Sequence, residues 1–197
     1  RSGRKGAVYN NVDAISSGLA SIEFVMATGG GINGGADGFA LTIIDIADST
    51  ELDNLIDHAS AGGGLGYAVA PQFGRDDFEW VGDAVTVEID TWYNEWFDRG
   101  ANLLDPTRQN HIALTRNVNP GDHIVWHAVP NVEDLMPHTV RIDLLGNSIR
   151  ITYDGTVVIE EPVQFAFKGG YMFFSGSTGW ATNFHRFDAL DILSNCF

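Results

Sequence analysis

Carboxylates and apolar side chains alternate along one short segment of the chain, Val85–Asn94. Because successive side chains of a β-strand point to opposite faces, Glu88, Asp90, Trp92 and Asn94 would share one face and the apolar residues the other. Two carboxylates about 7 Å apart on one face repel each other, and the segment contains no Lys or Arg to neutralise them. A divalent cation would do so, and the pattern therefore predicts a metal site beside an indole ring.

A second group of potential ligands follows in the segment Asp105–His111. Asp105 adds a carboxylate and His111 adds an imidazole. Carboxylates with an amide and a backbone carbonyl suit calcium, whereas the same carboxylates with one His suit manganese or another transition ion. Taken alone, the tripeptide around Glu88 and Asp90 is also typical of the solvent face of an edge strand, which is the alternative to a metal site.

These two segments together resemble the metal-binding signature of L-type (legume-type) lectins, in the concanavalin A-like superfamily. In that signature a strand with Glu-x-Asp-x-aromatic-x-Asn runs into Asp-Pro and then His. The spacing departs in the longer link Glu95–Leu104, where Asp98 could compete as a ligand. The resemblance implies one or two divalent ions: calcium held by Asp90, Asn94, Asp105 and the Trp92 carbonyl, and, where a second ion is bound, manganese or another transition metal held by Glu88, Asp90, Asp105 and His111.

The motif Gly35-Ala36-Asp37-Gly38 resembles the Ala-Asp-Gly motif of the same family. The resemblance implies that Asp37 is the central sugar-binding carboxylate and that the peptide bond before it is cis. A hexose offers hydroxyl groups and one apolar face. Asp37 would accept hydroxyl hydrogen bonds, Asn94 would donate, and Trp92 would stack under the sugar ring.

Two more segments extend the resemblance over nearly the whole chain. The run Gly62–Tyr67 is similar to the family's Gly-rich loop, whose backbone N–H donates to the sugar, and the stretch 173–185 is similar to its last Phe-Ser-x-x-Thr-Gly turn and last strand. Trp180 would line the rim of the site or pack on the turn. The resemblance thus adds four positions to the sugar site: Gly63, Gly64, Gly179 and Trp180.

The remaining sequence predicts the elements that position these residues. Abundant Gly and short β-rich runs bounded by turn residues predict an all-β, antiparallel jelly-roll β-sandwich. One short helix is expected at Thr50–His58, capped by Asp48 or Ser49. It is expected to be a minor addition to a loop. The predicted strands are Ser21–Met26, Phe39–Ile44, Ala84–Trp92, His111–Val118, Thr139–Leu145, Ser148–Tyr153, Thr156–Ile159, Tyr171–Ser175 and His185–Leu193.

The sandwich is expected to have a concave front sheet containing Ala84–Trp92 and a flatter back sheet completed by His185–Leu193. Residues 1–6 are basic and show no strand pattern, which suggests a tail before a lectin-like domain at 7–197. On this interpretation the chain begins after a leader, or inside a longer protein whose first strand it lacks.

Composition narrows the classes of partner. A net charge of -15 disfavours sequence-independent binding to nucleic acid or to anionic lipid. No apolar run is long enough to insert into a membrane. Cys196 is the single cysteine, which excludes an internal disulfide and a Cys-based zinc site. Because calcium is plentiful outside cells, we expect an extracellular, secreted or cell-surface protein that binds glycans or glycoproteins. The sequence leaves oligomerisation open.

Two other classes share this type of sandwich. Laminarinase-type glycoside hydrolases carry Glu-x-Asp-x-(x)-Glu, but the third position here falls on Trp92 or Tyr93, and Glu95 lies on the opposite strand face if the strand continues that far. No catalytic residue is therefore expected. The second class is an adhesive or structural surface module that binds a protein or a surface through a lectin fold. The presence together of Asp37, the Gly-rich loop and Asn94 disfavours it.

Overall fold

The computed structural model describes residues 3–9, 19–46, 48–69, 82–94, 105–163 and 170–194, and the backbone of 97–98 and 101–102. The described residues form thirteen β-strands, one α-helix and one 3-10 helix. In chain order they are β1 (Arg4–Tyr9), β2 (Leu19–Ile32), β3 (Gly38–Ile44), α1 (Ser49–His58), the 3-10 helix Gly62–Gly64, β4 (Ala84–Asp90), β5 (Phe97–Asp98), β6 (Ala101–Asn102), β7 (His111–Arg116), β8 (Asn119–Ala128), β9 (His138–Leu145), β10 (Ser148–Tyr153), β11 (Thr156–Pro162), β12 (Tyr171–Thr178) and β13 (Thr182–Ser194).

The strands form two large antiparallel sheets. The front sheet has the order β1-β12-β3-β4-β7-β8, the back sheet has the order β11-β10-β9-β2-β13, and β5 pairs with β6 in a small separate sheet. The predicted antiparallel jelly-roll sandwich is therefore confirmed. β4 lies in the front sheet and β13 in the back sheet, as expected from the sequence.

Two turns whose residues favour hairpins, at Asn147 and at Asp154-Gly155, join β9, β10 and β11 into a meander, as these residue types predict. Asp154 and Gly155 both have positive φ, at 48° and 77°, as a type I′ turn requires. Local turn chemistry therefore sets the register of this part of the back sheet.

Two edge strands of the front sheet differ from the expectation. Arg4–Gly6 form the first half of β1, although their basic residues and glycine show no strand pattern. β8 begins with Asn119-Pro120-Gly121-Asp122, which are residues typical of a turn. The sequence pattern therefore did not predict this strand. Both strands pair on one side only, so neighbouring strands rather than internal periodicity define them.

In the sequence, the Gly-rich segment 29–34 is typical of a hairpin loop, and this interpretation is wrong. β2 continues through Gly29 as far as Ile32 and lies in the back sheet, whereas β3 lies in the front sheet. The turn at Asn33-Gly34 therefore carries the chain from one sheet to the other, directly before Asp37.

Apolar side chains form two separate cores. The larger core lies between the sheets and takes Val85, Val87 and Ile89 from one face of β4. The smaller core covers the outer face of the front sheet and contains Leu52 and Leu55 of α1 together with residues of the loop after it.

Helix α1 contributes to a hydrophobic core, whereas the sequence predicted a minor addition to a loop. Asp48 Oδ1 caps it by accepting hydrogen bonds from the backbone N–H of Thr50 at 2.8 Å and of Glu51 at 3.2 Å. Leu52 and Leu55 are fully buried in the smaller core. The helix therefore covers part of the outer face of the front sheet. Within the part of the chain that the structure describes, no helix is long and apolar enough to cross a membrane.

Strand pairing places the functional residues in register. Asp90 at the end of β4 lies opposite Gly38 of β3 on one side and opposite His111 of β7 on the other. Because Asp37 precedes Gly38 directly, the segment Gly35–Gly38 and the predicted ligands Asp90 and His111 meet at one end of the front sheet.

Candidate functional site

Buried acidic groups form the centre of the site. Glu88 is 0% exposed, Asp90 2% and Asp105 7%. β4 is a central strand of the front sheet, so the alternative in which Glu88 and Asp90 lie on the solvent face of an edge strand is wrong. Three buried carboxyl groups this close together require protons or a cation.

Burial and mutual repulsion change the acidity of these groups. Burial, followed by the charges of Asp105 and Glu88, raises the pKa of Asp90 well above its ordinary range. Burial also raises the pKa of Asp105 to about 7, although a hydrogen bond from the Asn94 backbone opposes the shift. Without a cation, the site favours protonated carboxyl groups at Asp90 and Asp105.

The predicted ligands come together in two overlapping groups. The ligand atoms of Asp90, Asp105 and His111 lie within 4.8 Å of one another, and those of Glu88, His111 and His123 do so as well. His111 is 1% exposed, and its Nε2 has no hydrogen-bond partner among the described residues. An unpartnered buried nitrogen beside carboxylates fits a metal ion, because a neutral imidazole nitrogen is a common ligand.

The loop after β4 brings the other predicted ligands against this cluster. The Trp92 backbone N–H donates to Asp90 Oδ1 at 2.7 Å, and the Asn94 backbone N–H donates to Asp105 Oδ2. Asn94 Nδ2 lies 3.4 Å from the Trp92 carbonyl oxygen. The donor set of carboxylates, one amide and one backbone carbonyl fits calcium. Asp98, which the sequence offered as an alternative metal ligand, lies in β5, where the structure describes only the backbone.

His123 belongs to the cluster, whereas from the sequence alone it is most simply interpreted as a surface or turn histidine, and this interpretation is wrong. Its Nε2 lies 3.1 Å from Glu88 Oε1, and its side chain is only 12% exposed. Burial lowers the pKa of His123, but the hydrogen bond and charge of Glu88 raise it overall. Burial lowers the pKa of His111. The pairing of β7 with β8 brings His123 here, and that strand was not recognised in the sequence.

Asp37 lies beside the cluster of buried carboxyl groups, and backbone hydrogen bonds fix its position. The Ala36–Asp37 peptide bond is cis, as the resemblance implied. The Asp37 backbone N–H donates to the Ser177 carbonyl at 3.1 Å, and the Asp37 carbonyl accepts from the Thr91 N–H at 2.9 Å. These bonds join the motif to β12 and to the end of β4.

The side chain of Asp37 is poorly solvated. The residue is 4% exposed, and its Oδ2 has no hydrogen-bond partner among the described residues. Burial raises the pKa of Asp37 to about 7, although a hydrogen bond from the Gly179 backbone lowers it. An acceptor in this state gains from any ligand hydroxyl that can donate to it.

Glycines make room for close approach around Asp37. A Cβ on Gly179 would lie 3.1 Å from Asp37 Oδ2 and 3.6 Å from Gly62 Cα. A Cβ on Gly63 would lie 2.9 Å from Asn94 Nδ2. The structure thus brings Asp37, Gly63, Asn94 and Gly179 together.

Hydrogen bonds fix the Gly-rich loop to β12. Ser177 Oγ donates to the Gly62 carbonyl at 2.7 Å, and Ser175 Oγ donates to the Leu65 carbonyl at 2.9 Å. Gly64 is buried within the loop. The loop is therefore held in place by the same strand that ends at Thr178, directly before Gly179.

The two predicted aromatic residues differ in their environment. Trp92 is half-buried, and its ring lies 3.8 Å from the position a Cβ on Gly34 would take. Trp180 is 72% exposed, and its carbonyl accepts a hydrogen bond from Asn33 Nδ2 at 3.4 Å. The Trp180 ring is therefore available to solvent directly after Gly179.

Sequence reasoning missed two residues that support the site. Tyr67 is fully buried, and its hydroxyl donates to Glu88 Oε2 at 2.8 Å, which links the Gly-rich loop to the cluster of buried carboxyl groups. Glu133 accepts hydrogen bonds from Asn110 Nδ2, at 2.7 Å, and from Asn183 Nδ2. Neither residue stands near the ligands in the sequence, so no local motif marked it.

Comparison with known proteins gives matches in structure alone. Sequence comparison finds neither a matching family model nor a matching curated protein. Lectin II from Ulex europaeus is similar with a TM-score of 0.73 and 16% identity, covering 99% of this chain and 84% of that chain. A Bauhinia forficata lectin, solved in complex with GalNAc, has a TM-score of 0.66 and 21% identity, covering 98% of this chain and 82% of that chain.

The exoplasmic/lumenal domain of VIP36, solved in a form bound to Ca²⁺ and mannose, is similar as well. Its TM-score is 0.68 at 13% identity, covering 100% of this chain and 76% of that chain. At these identities the likeness concerns the fold. The chain has the L-type lectin fold, the antiparallel sandwich that its motifs predicted.

Proposed function

We propose that this chain is a calcium-dependent lectin domain that binds glycans, free or on glycoproteins, without catalysing a reaction. The observation that carries the proposal is the buried Asp37 carboxylate, whose Oδ2 has no partner among the described residues and which lies beside Gly179. Gly63 and Asn94 approach each other at the same site. Similar folds in lectins solved with GalNAc or mannose support this function.

The chemistry of the site suits a sugar. Asp37 would accept hydrogen bonds from two vicinal hydroxyls, while the Gly63 N–H and the Asn94 side-chain amide would donate. Trp92 would cover the apolar face of the ring, and Gly64, Gly179 and Trp180 would shape the rim. Donors, acceptors and an apolar surface would thus converge on one ring.

The metal centre would position these groups. In this proposal calcium lies among Asp90, Asn94, Asp105 and the Trp92 carbonyl, and a second ion, manganese or another transition metal, draws on Glu88, Asp90, Asp105 and His111. A bound cation supplies the positive charge that buried carboxylates otherwise lack. Asn94 would then face the sugar because its backbone is hydrogen-bonded to Asp105.

The location is part of the same proposal. A site that needs calcium is best filled outside cells or in a calcium-rich lumen, so we propose that the protein works in a secreted, extracellular or cell-surface setting. Glycans of glycoproteins are accessible in such settings.

A glycan array provides the test, with fluorescently labelled protein applied in excess calcium and after removal of calcium by chelator. We expect binding to a defined group of glycans that disappears with the chelator and returns with calcium. Asp37→Ala should abolish glycan binding, because charge-assisted hydrogen bonds are worth roughly 1.5–3 kcal/mol each and sugar affinity in open sites is low. The variant should retain calcium, because Asp37 is not among the proposed calcium ligands.

Trp92→Ala should weaken glycan binding and retain calcium, because the carbonyl ligand belongs to the backbone. An Asp37→Ala protein that binds glycans with unchanged affinity would contradict the proposal. Capture of a protein partner with unchanged strength by the same variant would favour an adhesive module instead.

A further inference from the structure

A carboxylate and two imidazoles converge on one side of the metal cluster. Glu88, His111 and His123 each place a ligand atom within 4.8 Å of the others. His123 Nε2 and Glu88 Oε1 are 3.1 Å apart. Two ligand atoms at about 2.0–2.1 Å from one zinc ion, at tetrahedral or octahedral angles, are about 2.9–3.4 Å apart. The observed separation is thus that of two neighbouring ligands on one ion.

Neighbouring groups orient the carboxylate and one of the rings. The Tyr67 hydroxyl donates to Glu88 Oε2 at 2.8 Å, which leaves Oε1 for the side of His123. His111 Nδ1 lies 3.1 Å from the Gln109 carbonyl, so Nδ1 carries the hydrogen and Nε2 carries the lone pair. Outer partners of this kind fix the tautomer and direction of metal-binding histidines.

An ion pair between Glu88 and His123 explains only part of this arrangement. It leaves His111 Nε2 buried without a hydrogen-bond partner among the described residues, although the residue is almost fully buried. A buried polar atom normally has a partner, so the orphaned lone pair is a second indication of a ligand. A metal ion among the three side chains would satisfy all of them at once.

Two imidazoles change which ion the site should prefer. Calcium takes oxygen ligands, whereas imidazole nitrogen suits zinc, copper, nickel and iron. Asp90 and Asp105 accept hydrogen bonds from the backbone N–H groups of Trp92 and Asn94. These two carboxyl groups therefore form the oxygen-rich side of the cluster. The cluster therefore has an oxygen side and a nitrogen side.

We propose that His123 is a further ligand of the second ion, so that Glu88, His111 and His123 together hold one transition ion of the zinc class beside the calcium position. This proposal rests on the metal centre of the proposed function and is independent of glycan recognition. It assigns a role to β8, which brings His123 to the cluster and which the sequence pattern did not reveal.

The test uses the full chain, stripped of metal by chelator and then supplied with Ca²⁺ and Zn²⁺. Zinc affinity is measured by calorimetry in excess calcium, and the number of imidazoles on zinc is counted by X-ray absorption at the zinc edge. The variant is His123→Gln, whose side chain can still hydrogen-bond to Glu88. The matched control is His127→Gln, on the same strand but exposed.

We expect two imidazoles on zinc in the unaltered protein and in the control, at about 2.0–2.1 Å. His123→Gln should show one imidazole and at least about tenfold weaker zinc binding, with calcium affinity within about twofold, because even outer-shell changes weaken metal sites by about 10–100-fold. Manganese affinity, which depends less on nitrogen ligands, should fall by a smaller factor.

Unchanged zinc affinity in His123→Gln, or a single imidazole in the unaltered protein, would overturn the assignment. Calcium and glycan binding with no zinc uptake would overturn this inference alone. Zinc bound through two imidazoles without any glycan binding would support the inference and count against the proposed function.

Discussion

Asn110 Nδ2 donates a hydrogen bond of 2.7 Å to Glu133 Oε2, which links the residue before His111 to the loop after β8. The other carboxylate oxygen accepts from Asn183 on β13, and Gly35 lies against it. One side chain therefore connects the start of β7, the back sheet and the turn that leads to Asp37.

Removal of this connection should weaken both stability and glycan binding. Hydrogen bonds to charged groups contribute about 1.5–3 kcal/mol each, and partial exposure reduces this, so Glu133→Ala should lower the free energy of unfolding by about 1–3 kcal/mol. Urea unfolding measures the loss. Glu23→Ala, at an exposed position on β2, is the control and should change little. Equal stability of the two variants would show that the Glu133 bonds are not formed in solution.

Two glycine substitutions should separate sugar binding from metal binding. A methyl group on Gly179 would lie 3.1 Å from the Asp37 carboxylate, so Gly179→Ala should weaken glycan binding by at least about tenfold and leave calcium affinity unchanged. A methyl group on Gly63 would press on Asn94, which is linked to Asp105, so Gly63→Ala should weaken both.

Calorimetry with calcium and with a bound glycan checks both substitutions. Gly6→Ala is the control, because nothing lies within 4 Å of the added carbon. Loss of calcium binding in Gly179→Ala would contradict the separation of the two sites.

Glycan affinity should decline in acid. Burial raises the pKa of Asp37 to about 7, and a protonated carboxyl group loses acceptor capacity. With calcium kept saturating, the dissociation constant should rise as pH falls below 7, approaching about tenfold per pH unit. Calcium occupancy is measured on the same samples. A dissociation constant that is constant between pH 8 and pH 5 would mean that Asp37 stays ionised or takes no part.

Stability of the metal-free protein should fall as pH rises. Burial raises the folded-state pKa of Asp37 and Asp105 from 3.8 to about 7 and raises that of Asp90 further, so the folded chain binds more protons than the unfolded chain between about pH 4 and 7. The free energy of unfolding then decreases with pH over that window, by up to about 3 kcal/mol for each of these carboxyl groups, and the lowered pKa of His111 opposes part of the change.

Calcium should remove this decline, because a bound cation compensates the ionised carboxylates. Urea unfolding of dialysed protein at pH 5, 6 and 7, with and without calcium, makes the comparison. If the metal-free protein becomes more stable from pH 5 to pH 7, the buried carboxylates are not what limits it.

The sequence predicted those parts of the site that lie on one strand or one short loop. The alternation in β4 separates Val87 and Ile89 from Glu88 and Asp90, because strand periodicity is a local property. The Asp154-Gly155 hairpin was readable for the same reason, since its turn chemistry is contained in two residues.

The remaining parts depend on pairing between distant segments. His123 reaches Glu88 across 35 residues, through an edge strand that opens with turn residues, and Glu133 reaches Asn183 across 50 residues. No local pattern encodes such contacts. The sequence predicted the position of helix α1 but not its part in the smaller core. Its apolar side chains are buried only because the front sheet lies beneath them, which no local pattern shows.

The two separate cores affect how this protein can be altered. The Gly-rich loop and α1 pack with the smaller core, whereas the sandwich is held by the larger one, and Phe173 and Phe174 on β12 face one core each. Changes of side-chain volume at Leu55 or Leu65 should therefore shift the loop without disturbing the scaffold. Directed evolution of the loop could then vary smaller-core positions other than Tyr67, which contacts Glu88, while the larger core is left unaltered to keep the sandwich stable.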